Sequence, residues 1–193
     1  MSKTSRLCVS WFSYFSVSII GPSSPHLLIV GAYPNIAAHK FAKAAGATVI
    51  ATTSSKEKEK TLKKLGADHV INYKEDENWG TTAKELTGGL GVHHVIEVGG
   101  AGTLKQSLKA IRYEGIITIV GFLGGVKVES SLMECLTYIC TARGVYVGSR
   151  QQMEEMVAAI EANDIHPVVD PKQFTLDQVR EAYEYQVSYP VVV

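Results

Sequence analysis

The chain has 193 residues, 46% of them hydrophobic and 20% charged, with 19 Lys plus Arg against 19 Asp plus Glu. That length suits one domain with a real core, and the composition excludes wholesale disorder. Zero net charge with no strongly basic block excludes the electrostatic footprint of a nucleic-acid binder and leaves no polybasic patch for an acidic membrane.

The first 26 residues stand apart. Lys3 and Arg6 precede an apolar stretch over 7–20, interrupted by Ser10, Ser13, Ser16 and Ser18. It is too short and too polar to span a bilayer. A secretory signal and an extension outside the fold both remain open for it. The three cysteines, Cys8, Cys135 and Cys140, are too few for a disulfide framework, and the rest of the chain reads as cytoplasmic. Cys135 and Cys140 have no His or Cys cluster near them, so they read as buried thiols on a helix and a strand rather than metal ligands.

From residue 27 the chain becomes regular. Short apolar runs at 27–30, 48–52, 69–72, 93–98, 116–120 and 144–147 are rich in Val and Ile and bounded by Gly or polar turns. Strands buried on both faces of a parallel sheet read this way. Helical stretches alternate with them. Residues 36–45 carry Ile36, Ala37, Phe41 and Ala44 on one face, and Gly46 follows as a stop. Residues 56–65 begin at Ser54-Ser55-Lys56-Glu57, a sequence in which a Ser hydroxyl accepts a free amide and Glu57 returns the bond. Further helices are expected at 81–86, 103–111 and 132–139. Six strands alternating with helices predict a doubly wound parallel sheet, an α/β fold of Rossmann type, over residues 27–150. Residues 151–193 add two helices, at 151–162 and 174–185, and a short strand-like run ending in Val191-Val192-Val193.

The ordered motifs carry a resemblance. They are Phe41-Ala42-Lys43-Ala44-Ala45-Gly46-Ala47-Thr48-Val49-Ile50, Leu65-Gly66-Ala67-Asp68-His69-Val70-Ile71-Asn72-Tyr73, Leu86-Thr87-Gly88-Gly89-Leu90-Gly91-Val92, Ile119-Val120-Gly121-Phe122-Leu123-Gly124-Gly125 and Arg143-Gly144-Val145-Tyr146-Val147-Gly148-Ser149-Arg150. Together they resemble the zinc-type alcohol dehydrogenase-like and quinone oxidoreductase-like medium-chain dehydrogenase/reductase family over about residues 27–186. The resemblance implies hydride transfer with a dinucleotide held by this domain. It also implies a GroES-like β domain ahead of it, with zinc ligands or a quinone pocket. Nothing in residues 1–26 resembles that β domain. The family's zinc is therefore not expected in this chain, and no catalytic residue is assigned. A small-molecule substrate is expected only where a catalytic domain is supplied. The resemblance also implies a homodimer through the sheet edge, near Tyr146 or the run Val126-Lys127-Val128.

Ligands of doubly wound sheets lie outside the carboxyl ends of the strands, so the candidate residues cluster there. After the first strand the chain reads Val30-Gly31-Ala32-Tyr33-Pro34-Asn35-Ile36, with Gly31 and Asn35 as pyrophosphate contacts. Pro34 offers no amide donor and Tyr33 adds bulk, which weakens the grip by roughly one to three powers of ten. An ordinary strand-to-helix turn fits the same residues. At the end of the second strand Thr53, Ser54 and Lys58 suit a 2′-phosphate rather than a ribose hydroxyl, so NADP(H) is expected over NAD(H). By resemblance Tyr73 reaches the same phosphate. A capped, solvated helix start is the alternative. Val98 and Gly99, with Gly121, Phe122 and Leu123, are expected to border the nicotinamide, where glycine lets flat rings approach. Gly148, past the sixth strand, is expected to close over the cofactor. The bland reading of these turns, as simple connections, stays open. Glu97 is either a base or a satisfied core carboxylate. His93 and His94 point to opposite faces and read as structural.

Overall fold

The computed structural model describes residues 26–30, 36–122, 125, 131–169 and 172–188. Its strands are β1 (His26–Val30), β2 (Thr48–Thr53), β3 (His69–Asn72), β4 (Val92–Glu97), β5 (Ile111–Ile119) and β6 (Thr141–Gly144). The helices are α1 (Ile36–Ala44), α2 (Lys56–Lys64), α3 (Trp79–Glu85), α4 (Leu104–Ala110), α5 (Met133–Tyr138), α6 (Arg150–Ala162) and α7 (Val179–Ser188). All strand pairs are parallel, and the sheet order is β3-β2-β1-β4-β5-β6. The order reverses between β1 and β4. Their carboxyl ends therefore flank the crevice in which such sheets take ligands.

Alternating side chains divide the core between the two faces of the sheet. Leu28, Val30 and Ile50 pack with Trp79 and Ala83 of α3 and Leu108 of α4. Leu27, Val49, Ile96 and Val98 pack on the other face with Ala42 of α1. Helix α6 joins through Ala159, which packs against Phe41 with Met156, Ile160 and Ile165 around them. No helix among the described residues is long and apolar enough to cross a membrane.

Among the described residues the expected elements are present with shifts at their ends; besides α3, which begins at Trp79 rather than 81, and α7, which spans Val179–Ser188 rather than 174–185, three stand out. The helix expected over 103–111 gives up its last residue. Ile111 is extended at φ −69° and ψ 145° and begins β5, where it pairs with Val92. Polar Arg112, Tyr113 and Glu114 had disguised this start. They lie in a bulged stretch, with Glu114 at φ 60°, after which Ile116 pairs with His94. The sixth strand is displaced further. The apolar run 144–147 predicts its position, but β6 is Thr141–Gly144, paired with Ile116 to Ile119. Only the Val145 amide extends the ladder, donating to the Ile119 carbonyl at 2.9 Å. An edge strand takes its register from its one neighbour, and β5 ends at Ile119. The third shift is at α2, whose cap is Ser55 rather than Ser54. Its hydroxyl accepts the Lys58 amide at 3.2 Å, which places Lys58, not Glu57, three residues on. Cys140 likewise lies one residue before β6 rather than within a strand. The terminal run after Ser188 lies outside the described residues.

Candidate functional site

At the carboxyl end of β2 the chain turns through Thr53 and Ser54 into α2. Thr53 is buried, and its Oγ1 accepts the Ser55 amide at 3.4 Å, so its hydroxyl shapes the turn from within. Ser54 and Lys58 are half-buried at the mouth of that turn. The ladder between β2 and β3 continues one step further, with the Tyr73 amide donating to the Thr53 carbonyl at 3.0 Å. Thr53, Ser54 and Lys58 are thus brought to one end of the sheet with Tyr73, which belongs to the next strand end along the chain. Residues 52–56 read Thr-Thr-Ser-Ser-Lys, with no carboxylate. The first acidic side chain is Glu57, exposed on the opening turn of α2. Lys56 is turned toward Glu75, 3.6 Å away at the surface.

The ends of β4 and β5 form a second cluster. Gly99 and Gly100 follow Val98, and Gly121 and Phe122 follow β5. Their glycines are required first by each other. A Cβ on Gly100, which sits at φ 77°, would meet the Phe122 Cα at 2.8 Å. One on Gly121 would lie 3.0 Å from Val98, and one on Gly99 would strike the Thr103 side chain at 2.3 Å. The sequence reading ascribed these glycines to an approaching ring. In the fold, close packing already demands them, of the two turns on each other at Gly100 and Gly121 and of the Thr103 side chain at Gly99.

Glu97 anchors this cluster. Fully buried, it accepts hydrogen bonds from the Gly100 amide at 3.0 Å, the Thr103 hydroxyl at 2.6 Å and the Ser107 hydroxyl. Burial raises the carboxyl above its usual range, while the bonds from Ser107, Thr103, Gly100 and Gly99 pull it back down. With its acceptors occupied, Glu97 is a satisfied core carboxylate that ties the β4 turn to α4. Thr103 and Ser107 escaped the sequence reading. Their signal is a spacing of four on one helix face, following a strand that ends in Glu.

A cavity of about 330 Å³ opens beside these turns, lined in part by Gly100, Leu104, Gly121, Phe122, Leu132 and Cys135. Gly148 is exposed past the outermost strand β6 and just ahead of the Ser149 cap of α6. Gly31, Asn35 and Leu123, as well as the run Val126-Lys127-Val128, lie outside the described residues.

His26 and His93 meet at the opposite, amino-terminal end of the sheet. The His93 ring stacks on His26 at 5.9 Å and 12°, its Nδ1 accepts the His26 amide at 3.1 Å, and its Nε2 lies 2.6 Å from Arg112. Burial and then the Arg112 charge hold His93 below the usual imidazole range. Among the described residues no group of three or more His, Cys, Asp or Glu side chains is placed to hold a metal ion, so the described residues offer no zinc donor set.

With this geometry in view, the likeness to known proteins is informative. Residues 36–162 match the sequence profile of the zinc-binding dehydrogenases. A zinc-type alcohol dehydrogenase-like protein of Schizosaccharomyces pombe is 48% identical over 153 residues, covering 77% of this chain and 44% of its own length. A quinone oxidoreductase-like protein 2 homolog of Nematostella vectensis is 31% identical over 72% of this chain and 40% of its own. The crystal structure of a 2-haloacrylate reductase superimposes with a TM-score of 0.74 at 27% identity, over 92% of this chain and 58% of that one. This chain spans about half the length of the relatives it matches.

Proposed function

The chain belongs to the zinc-binding dehydrogenase family, and from that premise we propose that it is the cofactor-holding half of an NADP(H)-dependent oxidoreductase of alcohol dehydrogenase or quinone oxidoreductase type. The reaction is hydride transfer between a nicotinamide and a carbonyl, alcohol or enone, in the cytoplasm. The nicotinamide supplies the hydride chemistry when bound, and the protein supplies position and electrostatics. The observation that carries the cofactor preference is the end of β2, where residues 52–56 supply hydroxyls and a lysine but no carboxylate, and where the ladder brings Tyr73 alongside Thr53. In this reading Ser54 and Lys58 hold the 2′-phosphate, Tyr73 flanks it, and Thr53 keeps the turn in shape. Gly31 and Asn35 meet the pyrophosphate. Val98, Gly99, Gly121, Phe122 and Leu123 orient the nicotinamide end and keep water from it, and Gly148 closes the outer side. Substrate turnover calls for the catalytic domain that the resemblance implies, and the residues named here serve the cofactor.

Titration of the chain with NADPH and with NADH, followed by quenching of tryptophan emission, tests the reading. NADPH is expected to bind about tenfold more tightly, the effect of a single charge-assisted contact. Lys58→Glu is expected to abolish that preference while leaving NADH unchanged. Equal affinity for the two, or no binding of either at millimolar concentration, overturns it. A second reading, a non-catalytic dinucleotide-binding or dimerisation module, is favoured by one observation: Leu132, Leu136, Tyr146 and Val147 are each more than 70% exposed around β6. Light scattering tests for the homodimer, and cofactor binding without turnover of any alcohol, aldehyde or quinone favours this second reading over the first.

A further inference from the structure

Two thiols outside the crevice are brought together by the way α5 ends. Past Tyr138 the chain enters the left-handed region at Ile139, φ 48° and ψ 54°, where glycine is usual and a β-branched residue is strained. The Ile139 amide donates to the Leu136 carbonyl at 3.3 Å, and the Cys140 amide donates to the Cys135 carbonyl at 3.0 Å. These are the paired bonds of a Schellman cap, which sets the side chains at its two ends against each other. That contact is ordinarily apolar. Here both ends are cysteine. Both thiols are half-buried, and both line an open depression with Glu114, Leu136, Ile139 and Thr141. A disulfide needs Cα atoms about 4.4–6.8 Å apart, and the bond from the Cys140 amide to the Cys135 carbonyl keeps the two residues at close range.

We propose that Cys135 and Cys140 form a reversible dithiol–disulfide site whose oxidant is a small-molecule disulfide such as glutathione disulfide. Burial, and then the neighbouring Cys135, push the Cys140 thiol up to about 11, which leaves the first attack to Cys135. The Cys135 thiolate attacks one sulfur of the small disulfide. A mixed disulfide forms, and the departing glutathione takes up the proton Cys135 has lost. Cys140 then attacks the Cys135 sulfur, and its proton leaves with the second glutathione. The two protein thiols are oxidised, the small disulfide is reduced to two thiols, and one S–S bond replaces another. Because Cys135 also lines the cavity beside Gly121 and Phe122, the bond forms in a wall of that cavity.

The experiment equilibrates the full chain, and the same chain carrying Cys8→Ser, with a glutathione redox series, followed by intact mass and non-reducing peptide mapping. The expected product has lost two hydrogens, joins Cys135 to Cys140 within one chain, and reverts with dithiothreitol. Cys140→Ser is expected to accumulate a glutathione adduct at Cys135, about tenfold above that on the unaltered chain, because the resolving thiol is gone. Ile139→Gly retains the cap without strain and is expected to retain the disulfide, which guards against a variant that merely misfolds. Free thiols at both positions under oxidising glutathione, a bond joining two chains, or no trapped adduct in Cys140→Ser each overturns the proposal.

Discussion

Strands β2 and β6 belong to the same parallel sheet, yet five of the six residues of β2 are buried and none of the four of β6 is. β2 lies between β1 and β3, and its alternate residues Val49 and Ile50 enter opposite cores. β6 borders β5 alone, and the apolar side chains just beyond it, Tyr146 and Val147, are exposed. Pairing and burial are therefore separate contributions. A ladder of hydrogen bonds defines a strand, but most of the stabilisation comes from what covers it. By this comparison most of the described core lies within residues 26–119, with α6 joined to it through Ala159, while the segment around α5 and β6 adds only the partly buried Tyr138 and Cys140.

The most severe test of that contrast is Ile50→Ala. Ile50 is fully buried, and its loss is expected to cost about 3–4 kcal/mol in urea unfolding. Next is Glu97→Ala, which leaves the Gly100 amide and the Thr103 and Ser107 hydroxyls without their acceptor. A loss of about 2–3 kcal/mol is expected, with Glu97→Gln milder, since it keeps an oxygen in place. Leu136→Ala, at an exposed position of α5, is expected to change the stability of the monomer by less than about 0.5 kcal/mol. A loss at Leu136 comparable to that at Ile50 would break the comparison and show that the α5–β6 face is covered in solution.

Acid sharpens the same contrast, because the packed half carries the perturbed imidazoles. Burial lowers His39 and His94, and His93 adds to the shift of His94, which falls to about 4 from 6.5. The unfolded chain binds these protons first, so stability is full above pH 6.5 and declines as pH falls toward 4. Roughly 2 kcal/mol is expected to be lost between pH 7 and pH 5 through His94. His94→Gln should flatten the profile. Glu97 works in the opposite sense: its raised carboxyl disfavours the folded state most when ionised, and protonation relieves this as pH falls. The decline is therefore expected to be steeper in Glu97→Gln.

Much of the fold was legible because its signals are local. The runs that became β1 to β4 were recognisable as short apolar runs rich in Val and Ile, since strands covered on both faces favour apolar residues at successive positions. At β6 the same rule misled. The run 144–147 is as apolar as a buried strand, but its neighbour sets the ladder three residues earlier. At the ends of β2 and β3, Ser54 and Lys58 were read from residue type and spacing and Tyr73 from resemblance, and the ladder bond from Tyr73 to Thr53 accounts for the meeting of the two strands. That Thr53 turns its hydroxyl inward was not legible, because nothing in Thr-Thr-Ser-Ser says which hydroxyl the turn will use.

By itself the sequence determined the alternation of strands and helices, the doubly wound class and the absence of a strong charge bias, all of which follow from residue type and period along the chain. The tertiary structure decided where β5 and β6 begin, why Gly99, Gly100 and Gly121 lack side chains, which groups satisfy Glu97, and that a helix cap would press Cys135 against Cys140. Each of these depends on a neighbour supplied by the folded backbone, by close packing of two turns or by a chain reversal. A periodic pattern records how often a residue meets the core but not which partner it meets there.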